Sequence, residues 1–247
     1  MKDMGASGKL WHLYRMGGIT PVIASLFNSQ NAQQIAFIRS VMKDQRKESL
    51  LRMKLKSLNG VVFDLETTGF SPYGGDEILS IGAVAVEGER VNEQETFYTL
   101  VKPKKRIPEE VKELTGINDD MGKEAPELLE GLRNFLHFVN SRVLLAHGTG
   151  HDKRFLDSAL WRTSRTHLRH PMLDTMMVAK WLNPDIRDYS LDHLLDRYEI
   201  EIGRRHDALE DSLMTAQLWS KLSRQLQNIQ IHTIGELFER MSRMTQV

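Results

Sequence analysis

The stretch Val61-Val62-Phe63-Asp64-Leu65-Glu66-Thr67-Thr68-Gly69 decides how this chain is read. Three apolar residues in a row, followed by the turn-rich Thr67-Thr68-Gly69-Phe70-Ser71-Pro72, predict a short buried strand running into a loop. Residues two apart in a strand share a face, so Asp64 and Glu66 project together at the strand's exit. Two carboxylates that close repel one another, and a cation between them is what keeps both ionised. The plain alternative is a pair of acids facing solvent past a strand end.

Working outward, residues 78–86 read as a second strand, Glu87-Gly88-Glu89 as a hairpin turn and residues 97–101 as a third strand. Helical spacing follows at about 108–114 and 126–139. A fourth strand is expected at 142–146, then a helix beginning near Asp152. A short fifth strand at 172–175 leads into a helix ending near Leu182. Further helices are expected over roughly 190–197, 208–224 and 232–244. Three strands in a meander, followed by strands alternating with helices, predict an α/β fold: a mixed sheet flanked by helices.

Upstream of Val61 the pattern differs. Ile35, Ile38, Met42, Leu50, Met53 and Leu55 fall at roughly helical spacing, with Lys43, Arg46, Lys47, Arg52, Lys54 and Lys56 between them. This predicts one or two amphipathic basic helices that end at Asn59-Gly60. The expected organisation is a basic helical extension over 1–58, a main domain over 59–225 and a C-terminal helix within 226–247. Charge follows the same division. The chain of 247 residues has no net charge, yet residues 1–58 hold ten Lys/Arg against three Asp/Glu, leaving 23 against 30 for the remainder.

No cysteine is present, which excludes disulfides and thiolate metal sites. A metal here is held by oxygen or imidazole, a preference that suits hard cations such as Mg²⁺ or Mn²⁺. The early apolar run 19–27 is broken by Thr20, Pro21 and Ser25 and is too short to span a bilayer. The expected setting is therefore cytoplasmic, with no membrane partner.

Two more segments carry chemistry. In His206-Asp207-Ala208-Leu209-Glu210-Asp211, Asp207 followed by Glu210 has the form of a helix N-cap and its N3 partner. That places His206 just outside the helix and Asp211 at its fourth position, where an imidazole and a carboxylate converge; the alternative is a solvated helix start with an incidental histidine. In Leu144-Leu145-Ala146-His147-Gly148-Thr149-Gly150-His151-Asp152 an apolar strand enters a glycine-bearing loop, and Asp152 taken alone reads as an N-cap. His147 and His151 read as polar loop residues, with contacts to phosphate or a Zn²⁺ pair as alternatives. Asp174 reads as a cap or structural group rather than a metal ligand.

Taken together, these segments resemble the DEDDh exonuclease superfamily, in order and spacing, over about residues 59–224. Asp64 and Glu66 in Asp-Leu-Glu-Thr-Thr-Gly match its first motif, Asp152 its second, and His206 with Asp211 the His-x₄-Asp of its third. Ile81-Gly82-Ala83-Val84, Leu114-Thr115-Gly116-Ile117, Leu173-Asp174-Thr175 and Ser190-Leu191-Asp192-His193-Leu194 also agree. Gly148 stands where Asn is usual, His151 where Phe is usual and Ser80 where related sequences often have glutamate.

The resemblance implies a ribonuclease H-like fold that binds two divalent cations, Mg²⁺ or Mn²⁺, through Asp64, Glu66, Asp152 and Asp211. It implies 3′→5′ hydrolysis of nucleic acid with His206 as general base; imidazole suits that role because it titrates near about 6.5 as a side-chain type. Thr67, Thr68 and Gly69 would hold the terminal nucleotide, with Ile117 as a wedge between the last bases. The implied partner is a single-stranded 3′ end, DNA favoured, and a DNA polymerase partner would be a separate polypeptide. Two other readings stay open: an exoribonuclease, and a non-catalytic nucleic-acid-binding module associated with a polymerase. The basic extension either tracks phosphates or docks its apolar stripe on the body, and the amount of apolar surface favours docking.

Overall fold

The computed structural model describes residues 21–43 and 50–244. Its centre is a five-stranded sheet of order β3-β2-β1-β4-β5, built from β1 (Asn59–Thr67), β2 (Ile78–Glu87), β3 (Arg90–Leu100), β4 (Val143–Ala146) and β5 (Met172–Asp174). β1–β2 and β2–β3 pair antiparallel, whereas β1–β4 and β4–β5 pair parallel. This is the expected mixed sheet, and β1 lies at its middle with its C-terminal end beside that of β4.

Helices cover both faces of the sheet. They are α1 (Pro21–Lys43), α2 (Glu109–Thr115), α3 (Asp119–Glu124), α4 (Leu128–Val139), α5 (Gly150–Ser164), α6 (Thr175–Leu182), α7 (Leu191–Arg197), α8 (Ala208–Asn228) and α9 (Ile234–Met244). Strand periodicity sends Val62, Val84 and Leu145 to one face, where they meet Met214, Leu218 and Trp219 of α8. Val61, Phe63, Ile81 and Leu144 go to the other, against Phe135 of α4 and Phe155 of α5. The parallel strands are apolar on both faces because both are covered.

Three departures from the sequence reading have physical causes. β3 begins at Arg90 rather than 97, because residues 90–96 are polar apart from Val91 and sit on an edge strand with too little apolar alternation to read. α3 is a single short turn of helix capped by Asn118, which accepts from the amides of Asp120 and Met121. It has no apolar repeat to read. α5 begins at Gly150, so Asp152 lies within its first turn instead of capping it.

The described residues of the N-terminal arm dock on the body. Ile38 and Met42 of α1 are buried in the core against α4 and α5, and Arg39 Nε donates to the Ser164 carbonyl at the end of α5 at 2.8 Å. Leu50, Leu55 and Leu58 enter the opposite core together with Ile234 and Leu237 of α9. Backbone bonds from Leu55 N to His232 O at 2.8 Å and from Ile234 N to Met53 O at 3.0 Å join the two ends of the described chain. Lys43, Arg52, Lys54 and Lys56 stay exposed. Residues 1–20 and 44–49, with Trp11, Leu13, Tyr14, Arg46 and Lys47, lie outside the described residues.

The placement of α8 depends on one glycine. A Cβ on Gly82 would lie 2.1 Å from the carbonyl carbon of Ala208 and 2.3 Å from the amide of Leu209, so the first turn of α8 rests on bare β2 backbone. Ser212 Oγ closes the contact, reaching Ala208 O at 2.6 Å and Gly82 O at 3.0 Å. Further along α8, Trp219 Nε1 donates to Gly88 O in the β2–β3 turn at 2.9 Å. Gly82→Ala must therefore displace backbone, which is expected to cost about 3 kcal/mol or more and lower Tm by roughly 6–12 °C. Gly150→Ala, whose added Cβ meets nothing within 4 Å, is the control and should leave Tm nearly unchanged in the same calorimetric scan.

Candidate active site

Asp64 lies opposite Gly82 in the β1–β2 register, and Glu66 lies opposite Ser80. Because α8 sits directly on Gly82, its fourth residue Asp211 comes down beside the two strand acids. Carboxylate oxygens of Asp64, Glu66 and Asp211 all lie within 4.8 Å of one another. Asp152, on the first turn of α5, is 4% exposed, and its charge acts on Asp64. The four acids thus come from one strand and two helix N-terminal turns.

Their electrostatics reflect crowding away from water. Asp64 is pushed well above the ordinary carboxylate range, first by burial and then by Asp152, Glu66 and Asp211, with Arg205 opposing. Burial, then Asp211 and Asp207, raise Glu66 to about 7. Burial raises Asp152 to about 8 against the pull of its own backbone N–H. Asp211 is raised by burial and held back by Arg205. Such a set binds either protons or cations. The donors are all oxygens, the group is mostly buried, and its neighbours repel, which fits hard divalent cations.

Arg205 is the cation already present, and sequence reasoning missed it. Its guanidinium bonds Asp211 Oδ1 through Nη1 and Asp192 Oδ1 through Nε at 2.5 Å. Its position just before His206 was the available signal. The next residue, His206, has a left-handed backbone at φ 59° and donates its amide to Asp211 Oδ2 at 3.1 Å. Asp207 caps α8 as expected, accepting from the amides of Leu209 and Glu210. The sequence predicts that the His206 imidazole and the Asp211 carboxylate converge; the contact seen is from the His206 backbone amide instead.

The supporting loops are tied down by acids of their own. Asp174 accepts from Gly148 N, Thr149 N and Thr149 Oγ1 at 2.9–3.1 Å and caps α6. Gly148 is left-handed at φ 73°, a conformation that asparagine and glycine tolerate best. His147 is structural: its ring meets Thr175 Oγ1 at 3.0 Å and the Tyr189 carbonyl at 2.8 Å. His151 lies in α5, 3.3 Å from Thr67 Oγ1, with its ring near those of Phe70 and Phe155.

The residues expected to hold substrate divide in two. Thr67 Oγ1 donates to Gly69 O at 2.8 Å beside His151, near the acids. Thr68 is engaged on both its amide and its hydroxyl by Glu77, each at 2.9 Å. Gly69 gives way to the Asp76 carboxylate, which a Cβ would approach to 2.5 Å. Ile117 is 4% exposed and packs with Leu79 and Ile107 as core, whereas Leu114 of the same segment is 54% exposed. Arg204 Nη2 donates to Thr115 O at 3.1 Å, fastening this segment to the His206 loop.

A family model described as Exonuclease (RNase_T) matches residues 61–219. The DNA polymerase III subunit epsilon of Aquifex aeolicus is 34% identical over 185 residues, covering 75% of this chain and 90% of that protein. The DNA polymerase III PolC-type of Caldanaerobacter subterraneus subsp. tengcongensis is 37% identical over 183 residues; the match spans 73% of this chain and only 13% of that protein's length. Among solved structures, the nuclease domain of 3′hExo, a DEDDh family member bound to rAMP, superposes with a TM-score of 0.60 at 20% identity, over 71% of this chain and 95% of that one. Exonuclease X in complex with 5′ overhanging duplex DNA gives 0.58 at 22% identity, over 73% and 98%. With its ribonuclease H-like sheet and a family match running from β1 into α8, this chain belongs to the RNase_T exonuclease family.

Proposed function

We propose that this chain is a divalent-metal-dependent 3′→5′ exonuclease acting on single-stranded 3′ ends, DNA favoured. The observation that carries the reading is the buried all-oxygen cluster of Asp64, Glu66 and Asp211, with Asp152 acting on it and His206 fastened to Asp211. Two cations held by these four acids would supply Lewis acidity and charge for an in-line phosphoryl displacement.

The chain's own groups do the rest. The His206 ring takes the proton as the water oxygen bonds to phosphorus and the bond to the departing 3′ oxygen breaks, releasing a nucleoside 5′-monophosphate. Thr67 and the exposed Leu114 border the place for the terminal nucleotide. The bond from Arg204 to Thr115 keeps that border in register with His206. Relatives named as parts of DNA polymerase III support a polymerase partner and a cytoplasmic setting. Among the described residues no helix is long and apolar enough to cross a membrane.

Two measurements check this reading. With 5′-labelled DNA and RNA oligomers and Mg²⁺ or Mn²⁺, stepwise shortening from the 3′ end is expected, abolished by EDTA and by Asp64→Ala. His206→Ala should lose about 10²–10⁴-fold in turnover yet retain binding. Metal-dependent cutting by Asp64→Ala at the normal rate, or full turnover by His206→Ala, contradicts the assignment; the faster polymer settles the sugar.

The second follows from proton–metal competition. Carboxyls that titrate near about 4 in the unfolded chain sit near 7 for Glu66 and 8 for Asp152 when folded without metal. A raised folded value means that the protonated cluster stabilises fully at low pH and that this contribution is lost as pH rises from the unfolded value near about 4 through the folded values of about 7 and 8, levelling off above them. In EDTA, Tm should fall between about pH 5 and 8 and fall less in Glu66→Gln/Asp152→Asn. Mn²⁺ should restore Tm at the alkaline end for the parent protein only. A flat profile in EDTA would contradict the buried cluster.

A further inference from the structure

The loop between α7 and α8 ends on Arg204-Arg205-His206-Asp207, and two consecutive residues of it engage both oxygens of one acid of the cluster. Arg205 Nη1 bonds Asp211 Oδ1, and the His206 amide donates to Asp211 Oδ2 at 3.1 Å. The guanidinium is shared. Its Nε donates to Oδ1 of Asp192, the second residue of α7, at 2.5 Å. The two ends of this bridge differ in setting: the Asp211 side chain is 7% exposed, that of Asp192 60%, and Arg205 lies between them at 24%. Arginine can hold both acids because its planar fork carries donors on separate nitrogens.

The pull of Arg205 extends beyond its direct partner. It opposes the upward shift of Asp64 and Glu66 as well as that of Asp211. One guanidinium thus acts as counter-ion to three of the four acids, and touches one of them. That contact is the one in conflict with a bound cation. A divalent ion on Asp211 must share the carboxylate with the guanidinium, and like charges on one buried carboxylate repel. The bond to Asp192 carries no such conflict, because Asp192 faces solvent and stands outside the group Asp64, Glu66 and Asp211.

We propose that Arg205 is a resident counter-ion that competes with divalent cations for Asp211 and, when a cation binds there, is retained by Asp192 alone. The proposal deepens the exonuclease reading and rests on the acidic cluster being its metal site. Arg205 then sets the cation concentration at which the cluster loads, and stabilises the fold below that concentration. The rival role, in which Arg205 orients Asp211 toward a cation, has the opposite sign: the arginine would help the metal to bind.

Calorimetric titration of Mn²⁺ into the full chain at pH 8 tests this on the parent, Arg205→Gln, Asp192→Asn and the double variant, beside Tm in EDTA. Removing one positive charge about 5 Å from a divalent ion should tighten Mn²⁺ binding roughly tenfold in Arg205→Gln. The same variant should melt roughly 4–8 °C lower in EDTA, because Asp211 loses its partner, and saturating Mn²⁺ should narrow the gap. Asp192→Asn should weaken Mn²⁺ binding about threefold, since Arg205 then rests on Asp211 alone. In the Arg205→Gln background Asp192→Asn should change nothing, which separates retention of Arg205 from a plain loss of surface charge. Weaker or unchanged Mn²⁺ binding in Arg205→Gln overturns the proposal, and so does an Asp192→Asn effect that persists in the double variant. If Arg205→Gln does not fold in EDTA, Asp192→Asn decides: weaker binding supports the proposal, and equal or tighter binding overturns it. A parent that neither binds Mn²⁺ nor shortens 5′-labelled DNA sinks the exonuclease reading and the counter-ion with it. A parent that does both, with Arg205→Gln binding no more tightly, loses the counter-ion alone.

Discussion

The first turn of α8 touches β2 where there is no side chain, and the rest of the site follows from that contact. Any Cβ at Gly82 would overlap the Ala208 and Leu209 backbone. With the helix that low, Asp211 reaches the plane of Asp64 and Glu66, and Asp207 caps the helix just outside it. Raising the helix by the thickness of a methyl group would pull Asp211 away from Asp64 and Glu66.

That cluster works against the fold. Buried carboxylates that repel one another destabilise the metal-free protein near neutral pH, and the structure offsets this in two ways. Arg205 bridges Asp211 to Asp192 and supplies positive charge from the side. Elsewhere, acids are spent on backbone amides that would otherwise lack partners. Asp174 holds the loop before α5, Asp76 accepts from Ser71 N at 2.8 Å, and Glu77 accepts from Lys104 N at 2.8 Å. These clamps fix the loops that flank the clustered acids.

Much of this was legible in the sequence because it depends on local periodicity. The i, i+2 spacing of Asp64 and Glu66, the Asp207 cap and the Asp174 cap are short-range geometry, and each appears where expected. What stayed hidden depends on long-range packing or on exposure. The polar strand β3 is specified by pairing with β2 and not by its own pattern. Gly82 was visible as a glycine, but the helix that requires it is 126 residues away in sequence. Arg205 looked like any basic residue beside a histidine, and burial of Ile117 against Leu79 and Ile107 could not be read from Leu114-Thr115-Gly116-Ile117. The arm's stripe of Ile38 and Met42 was readable as apolar, and only the structure shows which helices it meets.

The claim on which the account depends is that α8 completes a divalent-cation site by delivering Asp211. Calorimetric titration of Mn²⁺ into metal-free protein at pH 8, in buffers of different ionisation enthalpy, tests it most directly. The account predicts close to two ions per chain with proton release in the parent, and loss of at least one ion in Asp211→Asn with its fold intact by circular dichroism. No Mn²⁺ binding by the parent, or the same stoichiometry and affinity in the variant, would contradict it.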